Sequence, residues 1–251
     1  MSGEVLIVDF RFGEKYYVTE FVKPNTFEIA KVCEEKLRGR DLDETLKNIL
    51  KFIRDEFVYP FDYLGNPSTN GLLLRHRKMY GKWYFKSYVN YMWDFPSETL
   101  IKRCGVCIDT SNLCCSLLRH FNFNAYVELG KVYKMPENQF LGYHAWVTVN
   151  HRDAWWVIET TIHRRGVVNI VKRDDAYSGR FGVRYECFVR YNEKDVEYVK
   201  PFNEVIVLIS EMKALSKVKL RKMEKNKQKF IWSRYEESSK ILVGELPWRI
   251  E

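Results

Sequence analysis

The sequence predicts an α+β protein, because helical patterns of period 3.6 lead into a cysteine-bearing helix and four strand-like runs follow it. The runs AYVELGKVYK, YHAWVTVN, AWWVIETT and VRYECFVRY are separated by turn residues. That order predicts an antiparallel sheet packed on the cysteine helix. At 251 residues, 46% apolar and 16% aromatic, the chain can bury a core, and 13 Gly with 7 Pro leave no evident flexible linker.

The elements follow in chain order. VLIVDFRFGEKYYVTEFV (5–22) is β-branched and aromatic on both sides of Gly13-Glu14 and reads as a hairpin. Asn25-Thr26 then precedes Phe27, Ile29, Ala30, Val32, Cys33 and Leu37, a capped helix with Gly39 as its stop. A second helix carries a capping-box pattern at Asp41 and Glu44 and keeps its apolar spacing through Phe57, towards Pro60. From Phe61 to Trp93 an aromatic stretch rich in Gly and Asn is too long for an ordinary connection and is expected to shape a cleft. After Gly105, the residues Ile108, Leu113, Cys114, Leu117, Leu118 and Phe121 set a helix starting close to Cys107. The end of the chain, rich in Lys, Arg and Glu, reads as solvated helix. The division expected is a hairpin and helix over 1–40 packing on a core domain of 41–210, with 61–95 inserted in it, and a basic tail over 211–251.

The formal charge of +8 favours anionic partners without naming one. No run approaches the roughly 18 apolar residues of a membrane span, and MSGEVLIVDF lacks the pattern of a signal peptide, so a cytoplasmic protein is expected. Six cysteines in 251 residues are too few for a disulfide-stapled miniprotein.

Cys107 is the residue whose placement suggests chemistry. At the first turn of a helix a thiol sits among unpaired N–H groups at the positive dipole end, which favours the reactive thiolate. Gly105 is expected to give a tight turn and room for substrate, while Asp109 opposes a second anion nearby. Two further runs meet around a tight turn at His151-Arg152. If Asn150 faces Asp153, opposite positions sum to 303 and His144 faces Glu159, on the side that also holds Trp146, Thr148, Trp155 and Val157. A thiol, an imidazole to take its proton and a carboxylate to orient the imidazole are the three types that nucleophilic acyl transfer needs.

These same segments resemble a known family. TLIKRCGVCIDTSNLCCSLLRHFNFNAYVELG, GYHAWVTV and WWVIETT are similar to the core of the transglutaminase-like superfamily, and ILKFIRDEFVYP with Tyr59 is similar to the segment before its cysteine. The resemblance covers about residues 44–162 and implies a papain-like fold with Cys107 as nucleophile, His144 as base and acid, and Glu159 as orienting carboxylate. Glu159 departs from the aspartate usual there. Trp93 is the expected second oxyanion donor or cleft residue. The implied activity is amide hydrolysis of a peptide or isopeptide through an acyl-enzyme, without metal or organic cofactor. The substrate is a peptide or protein, with anionic cell-wall peptide and acidic protein as candidates. An amine-accepting cross-linker and a non-catalytic binding or assembly module are the alternatives.

Other readings carry less. Cys104 and Cys107 form a C-x-x-C, but Cys114 and Cys115 point apart on a helix and make a poor second half of a zinc site. A thioredoxin-like pair lacks its βαβ context, although a Cys104–Cys107 disulfide is chemically open. The ladder Tyr80, Trp83, Tyr84, Phe85, Tyr88, Tyr91 and Trp93 with its lysines reads as core or cleft wall in preference to a nucleic-acid groove, since no nucleic-acid module accompanies it. His120, His151 and His163 read as surface or cap residues.

Overall fold

The computed structural model describes residues 5–11, 14–57, 73–79, 82–88, 93–103, 105–161 and 170–213, with the backbone alone for 73–79 and 82–88. Tyr59, Cys104, His163, the side chains of the aromatic stretch before Trp93 and the lysine-rich segment past 213 lie outside the described residues, and so do the expectations placed on them.

Strands β1 (Ile7–Arg11) and β2 (Glu14–Tyr17) form the expected hairpin, with Leu6, Val8 and Phe10 buried on alternate positions. The second strand stops at Tyr17. Val18–Phe21 wind into a 3-10 turn because Glu20 folds back to accept the Tyr17 N–H at 2.8 Å, and Val18 and Phe21 drop into the core. Helix α1 (Phe27–Val32) runs on into a π-helical turn, Cys33–Leu37, so that Ile29, Cys33 and Leu37 share one buried face. Thr26 stands at the N-cap but its side chain makes no cap bond there. Helix α2 (Leu42–Glu56) is capped by Asp41, whose Oδ1 accepts the Glu44 N–H at 2.8 Å, while Glu44 takes the N–H of Arg40 instead of that of Asp41. Strands β3 (Leu73–Met79) and β4 (Lys82–Tyr88) pair antiparallel within the expected insertion.

Helix α3 (Pro96–Lys102) leads through Arg103, in the left-handed region at φ 54°, to helix α4 (Cys107–His120). Every residue of α4 from Cys107 to Leu118 is buried, which makes it the axis of the molecule. Helices α2 and α3 pack against it, and strands β5 (Asn124–Lys134) and β6 (Gln139–His151) lie along its other side. With β7 (Ala154–Ile158), β8 (Ile170–Lys172), β9 (Val183–Tyr191) and β10 (Val196–Tyr198) they make one antiparallel sheet in the order β10-β9-β5-β6-β7-β8. Ala125, Val127 and Leu129 of β5 and Ala145, Val147 and Val149 of β6 face α4 in one core that runs from Leu6 to Ile209. The opposite face carries Trp146, Val157 and Cys187 and is covered by helix α5 (Arg173–Ser178). A last helix, α6, spans 202–213 and buries Val205, Leu208 and Ile209 in the main core.

Gly130 in the middle of β5 is required by crowding. A Cβ there would stand 1.9 Å from the Glu186 carbonyl oxygen on β9, at the point where the β5–β9 register shifts. No helix among the described residues is long and apolar enough to cross a membrane.

Candidate active site

Helix α4 starts at Cys107, preceded by Val106 in extended conformation. Its first turn is fixed by Asp109, whose two carboxyl oxygens accept the Val106 N–H at 3.0 Å and the Asp94 N–H at 2.9 Å. Burial, with the charge of Asp94 beside it, pushes the Asp109 pKa well above the ordinary carboxylate range, even though both N–H groups pull it back. A carboxyl whose pKa is pushed upward opposes a nearby thiolate less than an ordinary carboxylate would, which weakens the objection drawn from the sequence. Gly105 serves a different purpose from the one expected. A Cβ at this position would lie 2.8 Å from Asp109 Cβ and 3.2 Å from Thr99 Cγ2, so glycine is needed for close packing and not for an unusual backbone angle.

Cys107 is 8% exposed, against 0% for Cys33, Cys114 and Cys115 and 3% for Cys187. Burial pushes the thiols of Cys33 and Cys114 up to about 12 and those of Cys115 and Cys187 well above their ordinary value. Among the described cysteines, Cys107 alone combines a helix N-terminus with some accessibility.

The β6–β7 turn differs from the sequence expectation. Its central residues are Arg152 and Asp153, both at positive φ (52° and 58°), so His151 pairs with Ala154 and opposite positions sum to 305. The twisted two-residue turn requires positive φ at both central positions, and the Arg-Asp pair supplies it in place of His-Arg. A shift of two keeps every side chain on its expected face. Glu159 therefore stands across from Trp146, just beyond the end of β7, and reaches His144 diagonally.

His144 Nε2 and Glu159 Oε2 are 2.7 Å apart. The Cys107 thiol interacts with His144 and contributes to raising its pKa, while Nε2 is engaged by Glu159. Burial by itself lowers the His144 pKa. The charge and hydrogen bond of Glu159, with a smaller contribution from Cys107, outweigh it and hold the imidazole well above its ordinary value. Glu159 is pushed up by burial and pulled down further by His144 and Thr161, ending at about 2. Its carboxylate is fully engaged: Oε2 accepts from His144 and from the Tyr185 hydroxyl at 3.1 Å, and Oε1 from the Thr161 N–H at 3.0 Å and hydroxyl at 2.9 Å. These anchors absorb the extra methylene that distinguishes Glu159 from an aspartate.

Thr160 connects the segment of Glu159 to the helix of Cys107. Its Oγ1 lies 2.8 Å from that of Thr110 and 3.2 Å from that of Ser111, so the end of β7 is tied to the first turns of α4. On the other side of the imidazole, the Trp146 ring lies nearly parallel to it at 6.2 Å, and Trp146 Nε1 donates to the fully buried Glu128 at 2.8 Å. Glu128 also accepts from Thr148 Oγ1 at 2.9 Å and from the Tyr177 hydroxyl, with Arg173 3.6 Å away. Sequence reasoning did not single out Thr160, Thr161, Tyr185 or Glu128. The ETT run was visible; Tyr185 and Glu128 arrive by sheet pairing and leave no local signal.

Trp93 is fully buried, stacked on Phe10 at 4.7 Å and edge-on to Phe21 at 5.3 Å, and its Nε1 has no acceptor among the described residues. His120 contacts the Pro24 carbonyl and Glu34, and His151 contacts Asp43 of α2 at 2.6 Å, so both serve packing between elements. Cys114 and Cys115 are packing residues of α4.

Known proteins share parts of this chain. UPF0252 protein MJ1282 of Methanocaldococcus jannaschii is 26% identical over 163 residues, which is 63% of this chain and 42% of that protein. The chain thus spans less than half the length of this curated relative. Among solved structures, Legionella pneumophila LapG aligns with a TM-score of 0.42 and 13% identity over 72% of this chain and 84% of its own. A candidate cysteine protease of Cytophaga hutchinsonii aligns at 0.38 and 14%, over 71% and 52%. A family described as "Transglutaminase-like domain" matches residues 28–165, more than half of the sequence. That match takes in the helix of Cys107 and the strands that carry His144 and Glu159, and by it the chain belongs to the family of transglutaminase-like domains.

Proposed function

We propose that the protein is a thiol-dependent amide hydrolase, acting on a peptide or isopeptide bond through Cys107, His144 and Glu159. One observation carries the reading: an imidazole bonded at 2.7 Å to a part-buried carboxylate and interacting with a thiol at a helix start. The raised His144 and lowered Glu159 favour an imidazolium held by its carboxylate beside the Cys107 sulfur.

In this mechanism the Cys107 thiolate attacks the amide carbonyl carbon, and the carbonyl electron pair moves onto oxygen. The Cys107 N–H, free of an intrahelical acceptor by its place in the helix, stabilises that oxyanion. Trp93 is the proposed second donor. Its indole N–H lacks an acceptor among the described residues, and the next residue, Asp94, is bonded to the first turn of α4. As the tetrahedral adduct collapses, His144 delivers its proton to the leaving nitrogen and a thioester remains. His144, now neutral, takes a proton from water, whose oxygen attacks the thioester; the carboxylic acid leaves and the thiolate–imidazolium pair is restored. The basic chain suits an anionic peptide or acidic protein as substrate.

The test is the pH dependence of Cys107 alkylation by iodoacetamide, with peptide mapping, in the wild type and in His144→Ala. Selective labelling well below pH 8 that weakens in the variant supports the pair. Labelling no faster than an ordinary thiol, or unaffected by His144→Ala, overturns it. With an acyl donor in hand, release of product without incorporation of a labelled amine separates hydrolysis from cross-linking.

A further inference from the structure

Behind His144 stands a set of side chains that the proposed chemistry does not use. Tyr185 of β9 donates its hydroxyl to Glu159 Oε2 at 3.1 Å, the same oxygen that receives His144 Nε2 at 2.7 Å. The tyrosine ring stands edge-on to Trp146, with centroids 5.0 Å and planes 72° apart. Trp146 is itself held by Glu128, so the hydroxyl has a defended position. Burial and the charge of Glu159 push the Tyr185 pKa upward, which keeps the hydroxyl protonated and donating.

Two donors on one carboxylate oxygen compete for it. Charge density that Glu159 gives to a phenol is withheld from an imidazolium, so removing the phenol tightens the carboxylate's hold on His144 and a more acidic phenol loosens it. An imidazolium held too tightly is a poor acid toward a leaving amine. Glu159 does not rely on Tyr185 for its place, since Thr161 anchors the other oxygen through two bonds. Among the described residues, the titratable groups facing the His144–Glu159 pair are Cys107 from α4 and Tyr185 from β9. Glu128 of β5, Cys187 of β9 and Tyr177 and Arg173 of α5 stand around the far side of Trp146.

We propose that Tyr185 is a positioning residue that moderates the His144–Glu159 pair, drawing part of the carboxylate's charge so that His144 can release its proton during turnover. The proposal rests on the reading of Cys107, His144 and Glu159 as a catalytic triad.

The experiment is an NMR titration of the His144 ring nitrogens in a Cys107→Ala background, where the imidazole answers to Glu159 and Tyr185 without the thiol. Replacing Tyr185 by Phe is expected to raise the His144 midpoint by roughly half a unit or more. Incorporating 3,5-difluorotyrosine at 185, a stronger donor of the same shape, is expected to lower it. Shifts of opposite sign are not produced by a residue that merely packs. A midpoint that stays in place or falls in Tyr185→Phe, or one that moves the same way in both variants, overturns the proposal. The alkylation profile of the wild type tests the triad separately, so either idea can fail alone.

Discussion

Glu159 and His144 are two ends of one interaction, and each end predicts a pH limit. Glu159 is depressed from 4.5 to about 2, so its contribution is present above 4.5 and is lost as pH falls through 2. His144 is raised from 6.5, so its contribution is fully present below 6.5 and is lost as pH rises through the raised value. Replacing Glu159 by Gln is therefore expected to lower the melting temperature most between about pH 4.5 and 6.5. The melting curves of the two proteins should converge towards pH 2 and again in alkali, which calorimetry across that range checks. The amide also donates where the carboxylate accepted, misorients the imidazole, and should reduce turnover on the order of 10³-fold or more.

At the scale of elements, the contact between the end of β7 and α4 decides whether a carboxylate on a strand can serve a thiol on a helix. Thr160 makes that contact through hydroxyl bonds to Thr110 and Ser111, all three residues being buried. Thr160→Val keeps the shape, leaves the buried Ser111 hydroxyl short of a partner and leaves Thr110 with only its bonds to helix carbonyls. It is expected to destabilise by about 1–3 kcal/mol, read as a lower denaturant midpoint, and to slow Cys107 alkylation as α4 and β7 lose their tie. The register of β6 and β7 shows what was legible here. Alternation set the faces of His144 and Glu159 correctly, because face depends only on parity. The pairing sum was wrong by two, because it depends on which two residues accept positive φ, and Arg152-Asp153 carry neither the glycine nor the asparagine that marks such turns.

For the molecule as a whole, the sheet has an apolar face against α4 and a second, polar-cored face under α5. Glu128 is the centre of that second face, fully buried with Trp146, Thr148 and Tyr177 as donors and Arg173 beside it. Glu128→Ala strips the acceptor from two buried donors, Trp146 and Thr148, and from the partly buried Tyr177, and leaves Arg173 short of its counter-charge. A loss of about 3–5 kcal/mol is expected, measured by guanidinium denaturation. Because Trp146 also lies along the His144 ring, the pH profile of Cys107 alkylation should broaden in the same variant, even where it remains folded. The family match spans residues 28–165, whereas the main core begins at Leu6 and, with the sheet, continues to β10 and α6, so about a quarter of the chain completes the fold outside the matched region.

The sequence by itself determined the class, the start of α4 at Cys107, the four main strands and the face shared by His144 and Glu159. All of these follow from local periodicity and turn chemistry, which a chain carries within a few residues. Tertiary structure alone decided that Thr160 ties β7 to α4, that Asp109 is buried and pushed towards neutrality, that Trp93 packs between Phe10 and Phe21, and that Tyr185 and Glu128 stand behind the imidazole. Those contacts join residues 15 to about 80 positions apart through sheet order and helix packing, and neither leaves a periodic trace in the sequence.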